Sequence, residues 1–271
     1  MTFIYNLVDY LLMNKNEKEI YQYIDNNKSK NIFDVGSFQG KFTKKIIELE
    51  NESSRNTKSK KKNKYFLFDP NPKAKEYVNK IVKNNNNVNF YNYGVDDQLI
   101  KKKFHINKYF EASGSSFQTL IKNDKKWNLS RRFVLNIVNI IAQIHKFFIK
   151  GYFKKLENFE TIKVKTLTID LFCKQQKIKK IDLLKIDTEG HEEHVLKGAV
   201  NFLKKNKIKL VYVEILSSKK NFSKKKRKIA EFLKQYNFRF IKEYPIKSLG
   251  ILSNLSASDF LFVNENYSND K

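Results

Sequence analysis

Residues 181–194, Ile-Asp-Leu-Leu-Lys-Ile-Asp-Thr-Glu-Gly-His-Glu-Glu-His, hold the densest group of side chains able to do chemistry. Asp187 closes a short apolar run, and Glu189, His191 and Glu192 crowd the turn that follows. Carboxylates and imidazoles at such a point suit proton transfer or the binding of a hard cation. His191 and His194 are three residues apart and share one face of a helix. The order H-E-E-H lacks the H-E-x-x-H spacing of zinc proteases, so it is not read as zinc. Glu214, ending the run Leu-Val-Tyr-Val-Glu, is a further carboxylate aimed inward. Helix capping by solvated charges, and a surface salt bridge for Glu214, are the structural alternatives.

Three other points carry polar residues just after an apolar run. The first is Asp34-Val-Gly36-Ser37-Phe38-Gln-Gly40. Glycines there allow a tight turn and close approach of a ligand to the backbone. The G-x-x-x-G spacing lacks the three glycines that cradle a dinucleotide pyrophosphate, and no phosphate loop is present. A nucleoside ligand without phosphates fits better, with Asp34 placed to hold an ammonium group. The second is Phe68-Asp69-Pro70-Asn71-Pro72, where Asp69 can accept hydrogen bonds from two ribose hydroxyls or cap a helix. The third is Gly94-Val95-Asp96-Asp97, where an adenine ring would be bracketed, although by itself it reads as a turn.

These residues can act together only if the elements before them run side by side. Short apolar runs at 31–36, 65–68, 88–93, 162–167, 181–186, 208–215, 238–244 and 259–264 read as strands. Amphipathic segments at 41–50, 74–83, 169–176, 191–205 and 224–236 read as helices between them. Lys101–Ile106 adds a short hairpin arm. The alternation predicts an α/β fold with a mostly parallel sheet, in which ligands bind at the carboxyl ends of the strands. Residues 1–30 are expected to form an N-terminal helical extension, with helices at Phe3–Met13 and Glu17–Ile24. Residues 31–271 form the main domain, with a basic loop at 51–64 and a helical insertion at about 124–158.

The chain has 271 residues, enough to bury a substantial core as one large domain or two small ones. Its single cysteine excludes an internal disulfide framework and a cysteine-cluster zinc site. The absence of a long uninterrupted apolar stretch excludes a transmembrane helix. Met1–Met13 makes a poor signal peptide, because Asp9 interrupts its apolar part and no basic lead precedes it. A cytoplasmic protein is the expectation. The formal charge of +26 attracts anionic partners of any kind, and its even spread along an asparagine-rich chain also fits a coding bias.

Taken in order, FDVGSFQG, FDPNP, NYGVDD, SGSSF at 113–117, VKTLTID, IDLLKIDTEGHEEHVLKGA and VYVEI resemble the FkbM family of S-adenosylmethionine-dependent methyltransferases. The 181–199 segment is the specific part. The resemblance implies a Rossmann-like, seven-stranded class I methyltransferase fold with one antiparallel strand. It also implies O-methylation of a hydroxyl on a sugar, polysaccharide or related small molecule. By position, Asp34, Gly36, Ser37, Phe38 and Gly40 would form the methionine-side loop, Asp69 and Asn71 would lie at the ribose, and Gly94, Val95 and Asp96 near the adenine. Asp187, which borders the cofactor, would line the acceptor site with Glu189, His191 and Glu214. Ser37-Phe38 departs from the small residue and asparagine usual in the family, so contacts there differ.

An activated sulfonium leaves the enzyme to align an in-line displacement. A sugar hydroxyl then needs a base, for which His191 is the slightly favoured candidate, or a metal. Asp187 with Glu189 or Glu214 could instead hold Mg²⁺. RNA methylation and a non-catalytic basic adaptor remain the alternatives. DNA is not expected, because the cluster after the fourth strand is acidic. Residues 133–149, apolar with basic flanks, read as a lid or packing helix, or as a helix lying on the inner face of a membrane.

Overall fold

The structure, a computed structural model, describes residues 16–24, 29–56, 63–107, 159–245 and 255–267. The expected helices Phe3–Met13 and 133–149, the insertion at 124–158 and the 113–117 motif lie outside them.

Residues 16–23 form helix α1. Then come β1 (Asn31–Val35), α2 (Lys41–Asn56), β2 (Lys64–Phe68), α3 (Ala74–Asn84), β3 (Val88–Tyr91), β4 (Gly94–Val95) and β5 (Lys101–Asn107). After them follow β6 (Phe159–Leu167), α4 (Ile169–Gln175), β7 (Ile181–Ile186), α5 (Glu192–Lys197), α6 (Val200–Lys204), β8 (Ile208–Ser218), α7 (Lys219–Lys234), β9 (Phe238–Pro245) and β10 (Leu255–Asn264).

The main sheet has seven strands in the order β3-β2-β1-β7-β8-β10-β9. Its pairings are parallel except those of β10, which runs antiparallel to both β8 and β9. The expected fold class is therefore observed, including the one reversed strand. A second sheet, β4-β6-β5, stands beside it.

The central strands are apolar throughout because helices cover both of their faces. On one face, Phe33, Val35, Leu184, Ile186, Val211 and Val213 join residues of α4 through α7. On the other, Ile32, Leu183, Leu210 and Tyr212 pack with Ile20, Tyr21 and Ile24 of the N-terminal segment and Phe42, Ile46 and Val78 of α2 and α3.

Strands β6, β8 and β10 run longer than the sequence reading, α7 spans Lys219–Lys234 against an expected 224–236, and three further differences change the layout. The expected 51–64 loop begins as helix, since α2 continues to Asn56; its alternating apolar face ends only at Leu49, and polar residues extend the last turns. The expected helix 191–205 is two short helices, because the chain turns at Gly198 and Ala199. The strand expected at 88–93 stops at Tyr91, and Gly94–Val95 leaves to pair with Thr166–Leu167.

Candidate active site

Parallel register lines up the site. Asp34 of β1 pairs across from Lys185 of β7, and Lys185 pairs across from Tyr212 of β8. On the antiparallel side, Glu214 of β8 faces Asp259 of β10. Side chains alternate along each strand, so Asp34, Lys185, Asp187, Tyr212 and Glu214 project from one face toward the carboxyl ends of β1, β7 and β8, joined there by Asp259 of the antiparallel β10. Helix α1 adds Glu17, which is 5% exposed and whose Oε2 has no hydrogen-bond partner among the described residues.

Lys185 organises this polar face. Its Nζ lies 3.1 Å from Asp34 Oδ1, 3.1 Å from Asp187 Oδ2 and 3.4 Å from the Gly36 carbonyl. Burial alone would favour its neutral form, but Asp187 and Asp34 outweigh that and hold the ammonium charged well above its ordinary range. Thr43 donates to the other oxygen of Asp34 at 2.8 Å. The ammonium group that sequence reasoning placed on Asp34 is therefore present, but it belongs to the chain.

The carboxylates beyond Lys185 repel one another in a partly buried setting. Burial, then Asp187 and Asp259, push Glu214 well above the usual carboxylate range, and Glu214 hydrogen-bonds to Asp187. Burial, then Asp187 and Glu192, do the same to Glu189, whose backbone adopts a φ of 51°. Burial raises Asp259 to about 6 against a hydrogen bond donated by Tyr212 Oη at 2.8 Å. The sequence-expected residues Asp187, Glu189 and Glu214 are thus brought together.

The glycine turn closes against the same point. Gly36 has a φ of +79°, and a Cβ there would stand 1.7 Å from the Asp187 carbonyl oxygen. Only glycine lets the turn after β1 touch the turn after β7. Gly36 and Ser37 donate their N–H groups to the Phe68 carbonyl at 2.9 and 3.1 Å. Phe38 donates its N–H to Asp69 Oδ2, and Asn71 donates its N–H to Asp69 Oδ1, both at 2.8 Å. Burial raises Asp69 from 3.8 to about 6, against those two hydrogen bonds. Gly40 starts α2, where its carbonyl accepts from Lys44.

A nucleoside with an amino-acid tail fits these donors. Ser37 Oγ and Asn71 Nδ2 are buried, with no hydrogen-bond partner among the described residues. They flank Asp69, which can still accept through its remaining lone pairs. Val95, in contrast, is part of the apolar core and Gly94 is buried in β4. Asp96 is fully buried, with Lys102 Nζ at 2.9 Å and His191 Nε2 at 3.2 Å.

His191 is 1% exposed. Burial lowers its pKa, against the hydrogen bond and charge of Asp96. Glu192 braces the turn from inside: its Oε1 accepts from the Gly190 N–H at 2.7 Å, and its Oε2 pairs with Lys225 at 2.6 Å. Sequence reasoning missed Lys185, Asp259 and Glu17. Lys185 left a signal, a cation inside an apolar strand that burial obliges to be paired. Glu17 and Asp259 left none.

The strand order, the glycine turn after β1, the acid after β2 and the acidic turn after β7 define a Rossmann-like methyltransferase. The family model of the methyltransferase FkbM domain matches residues 34–240, and the chain belongs to that family. The family implies S-adenosylmethionine as methyl donor.

Solved structures give distant likenesses. An FkbM methyltransferase from Methylobacillus flagellatus KT is 10% identical with a TM-score of 0.47, over 87% of this chain and 43% of that one. This chain therefore spans less than half the length of that protein. The StiE O-MT structure, residues 942–1257, is 8% identical with a TM-score of 0.45, over 93% and 73% of the two chains. An rRNA methylase from Streptococcus thermophilus is 9% identical with a TM-score of 0.42, over 92% and 94%. Comparison with curated proteins gave no match. No helix among the described residues is long and apolar enough to cross a membrane.

Proposed function

We propose that the protein transfers a methyl group from S-adenosylmethionine to a hydroxyl of a sugar, a glycan or a related small molecule. The observation that carries this reading is the set of mutually repelling carboxyls Asp187, Glu189 and Glu214, with the glycine turn seated on the Asp187 backbone. S-adenosylmethionine supplies an electrophilic methyl on a sulfonium. Ser37, Asp69 and Asn71 would hold its nucleoside, with Asp69 accepting from the ribose hydroxyls.

The chain's remaining task is to orient the acceptor hydroxyl and take its proton. Carboxylates hydrogen-bond well to polyols, and one with a raised pKa is the stronger base once it is ionised. Glu214 is raised in this way and hydrogen-bonds to Asp187, so we assign the base to this hydrogen-bonded pair rather than to His191, whose Nε2 faces Asp96. Mg²⁺ at Asp187, Glu189 and Glu214 gains no support from the arrangement, since Lys185 already stands on Asp187.

The test is transfer of labelled methyl from S-adenosylmethionine to a panel of monosaccharides, glycans, small hydroxyl compounds and RNA. Label on a sugar, glycan or small hydroxyl, lost in Glu214→Gln, supports the proposal. Label on RNA alone overturns the acceptor class. A folded protein that fails to bind the methyl donor by calorimetry overturns the reaction. A peripheral membrane role and a cytoplasmic site stay proposals, tested by flotation with anionic vesicles.

A further inference from the structure

Away from the carboxylate group, three side chains from two distant segments converge on one point. Asp96 follows β4, and His191 and His194 open α5. One donor atom from each lies within 4.8 Å of the other two. His191 Nε2 is 3.2 Å and His194 Nδ1 is 3.6 Å from the same oxygen, Asp96 Oδ1. The two rings stack face to face with centroids 4.4 Å apart and planes 9° apart, so one ring tilts if both nitrogens are to reach a single ion.

Hydrogen bonds account for His194 Nδ1 against Asp97 Oδ2 at 2.9 Å and for His191 against Asp96, but not for the approach of His194 to Asp96. The 3.6 Å separation is too long for a hydrogen bond. Asp96 Oδ1 already accepts the Asp97 N–H at 2.8 Å. Metal geometry accounts for it better. Bonds of about 2.0–2.2 Å to nitrogen and oxygen put the corners of a tetrahedron about 3.3–3.5 Å apart. The two separations from Asp96 Oδ1 bracket that range. Asp97 Oδ2, hydrogen-bonded to His194 Nδ1 at 2.9 Å, is closer than that range and would exchange this bond for the ion to act as a fourth ligand.

The Asp96 side of the point is held in place before anything binds. The Asp96 N–H donates to the Leu167 carbonyl at 3.0 Å. Its own carbonyl lies 2.1 Å from where a Cβ on Gly198 would stand, so glycine is needed there for the turn to sit on α5. His194 and Asp97 are 36% and 26% exposed and give solvent access, whereas Asp96 and His191 are buried. Lys102 pairs with the other oxygen, Asp96 Oδ2, at 2.9 Å, and leaves Oδ1 to the histidines.

We propose that Asp96, His191 and His194, with Asp97 beside them, bind a zinc-class divalent cation that clasps the 94–97 turn to the start of α5. Two imidazoles with carboxylate suit zinc, cobalt or nickel, whereas magnesium and calcium take oxygen ligands. The clasp would fix the turn carrying Glu189 and Gly190 from behind. It is a separate location from the Asp187, Glu189 and Glu214 group considered for Mg²⁺.

The test needs neither methyl donor nor acceptor. Full-length, tag-free protein is stripped with chelator and titrated with Co²⁺, reading visible absorption, and then with Zn²⁺ against a chromophoric chelator. One equivalent of Co²⁺ with the intense bands of a four- or five-coordinate site, displaced by Zn²⁺ and not by Mg²⁺, is expected. His194→Ala should weaken Zn²⁺ binding about tenfold or more, as loss of a supporting ligand does elsewhere. His194→Gln serves as a second variant if the alanine form fails to fold. A wild type that binds neither ion, or tight binding unchanged by loss of His194, overturns the site and leaves a hydrogen-bonded brace.

Discussion

Asp69→Asn separates the binding role of this carboxyl from its effect on stability. Its two oxygens accept the Phe38 and Asn71 N–H groups at 2.8 Å each. Burial moves its pKa from 3.8 to about 6, which corresponds to about 3 kcal/mol of cost for the ionised form at neutral pH. The native state binds the proton more tightly than the unfolded chain does. That contribution is full below 3.8 and is lost as pH rises through about 6. Asparagine removes the ionisation cost, but its NH₂ must face one of the two N–H donors, at about 1–3 kcal/mol. The terms nearly cancel, so the unfolding temperature should move by only a few degrees, at about 2–4 °C per kcal/mol.

Binding should respond differently. Each ribose hydroxyl donated to a charged acceptor contributes about 1.5–3 kcal/mol. Losing one such bond weakens S-adenosylmethionine about tenfold or more. Calorimetric titration at mildly alkaline pH checks this for both proteins. Wild-type affinity should also fall as pH drops through about 6, where Asp69 gains its proton, while the asparagine form stays level. A folded variant with affinity within about threefold of wild type refutes the ribose assignment.

The other expectations follow from the same geometry. Gly36→Ala forces a φ of +79° and an overlap with the Asp187 carbonyl, so it should cost more than the roughly 1–2 kcal/mol of the backbone alone and abolish donor binding; thermal unfolding and calorimetry read both. Glu214→Gln should lower kcat by about 10²–10⁴ with donor affinity intact, and a loss below tenfold removes it from the base pair. Glu17, raised from 4.5 to about 7 mainly by burial, contributes stability that is full below 4.5 and lost as pH rises through about 7. Glu17→Gln should therefore raise the unfolding temperature above pH 7, by up to about 3 kcal/mol of stability, and leave it unchanged near pH 4.

Hydrophobic patterning alone was enough to read the layers and to locate the polar tips of the strands. Runs such as Asn31–Val35 and Ile181–Ile186 are apolar because both faces of a parallel sheet are covered, and the first polar residue after each run marks the open end. Asp34, Asp69 and Asp187 were legible for that reason. The family resemblance carried the donor further than spacing alone.

Tertiary structure decided which of these residues meet. The pairing of Asp34 with Lys185 is a matter of register between β1 and β7 across about 150 residues. Asp259 reaches Glu214 only because β10 inserts antiparallel beside β8. The sequence reading set His191 toward an acceptor, whereas the fold turns it onto Asp96, after Gly198 lets that turn press on α5. Local patterns encode which face a residue takes, because that depends on neighbours a few positions away. Partnership across strands depends on strand order and register, which the packing of the whole sheet sets.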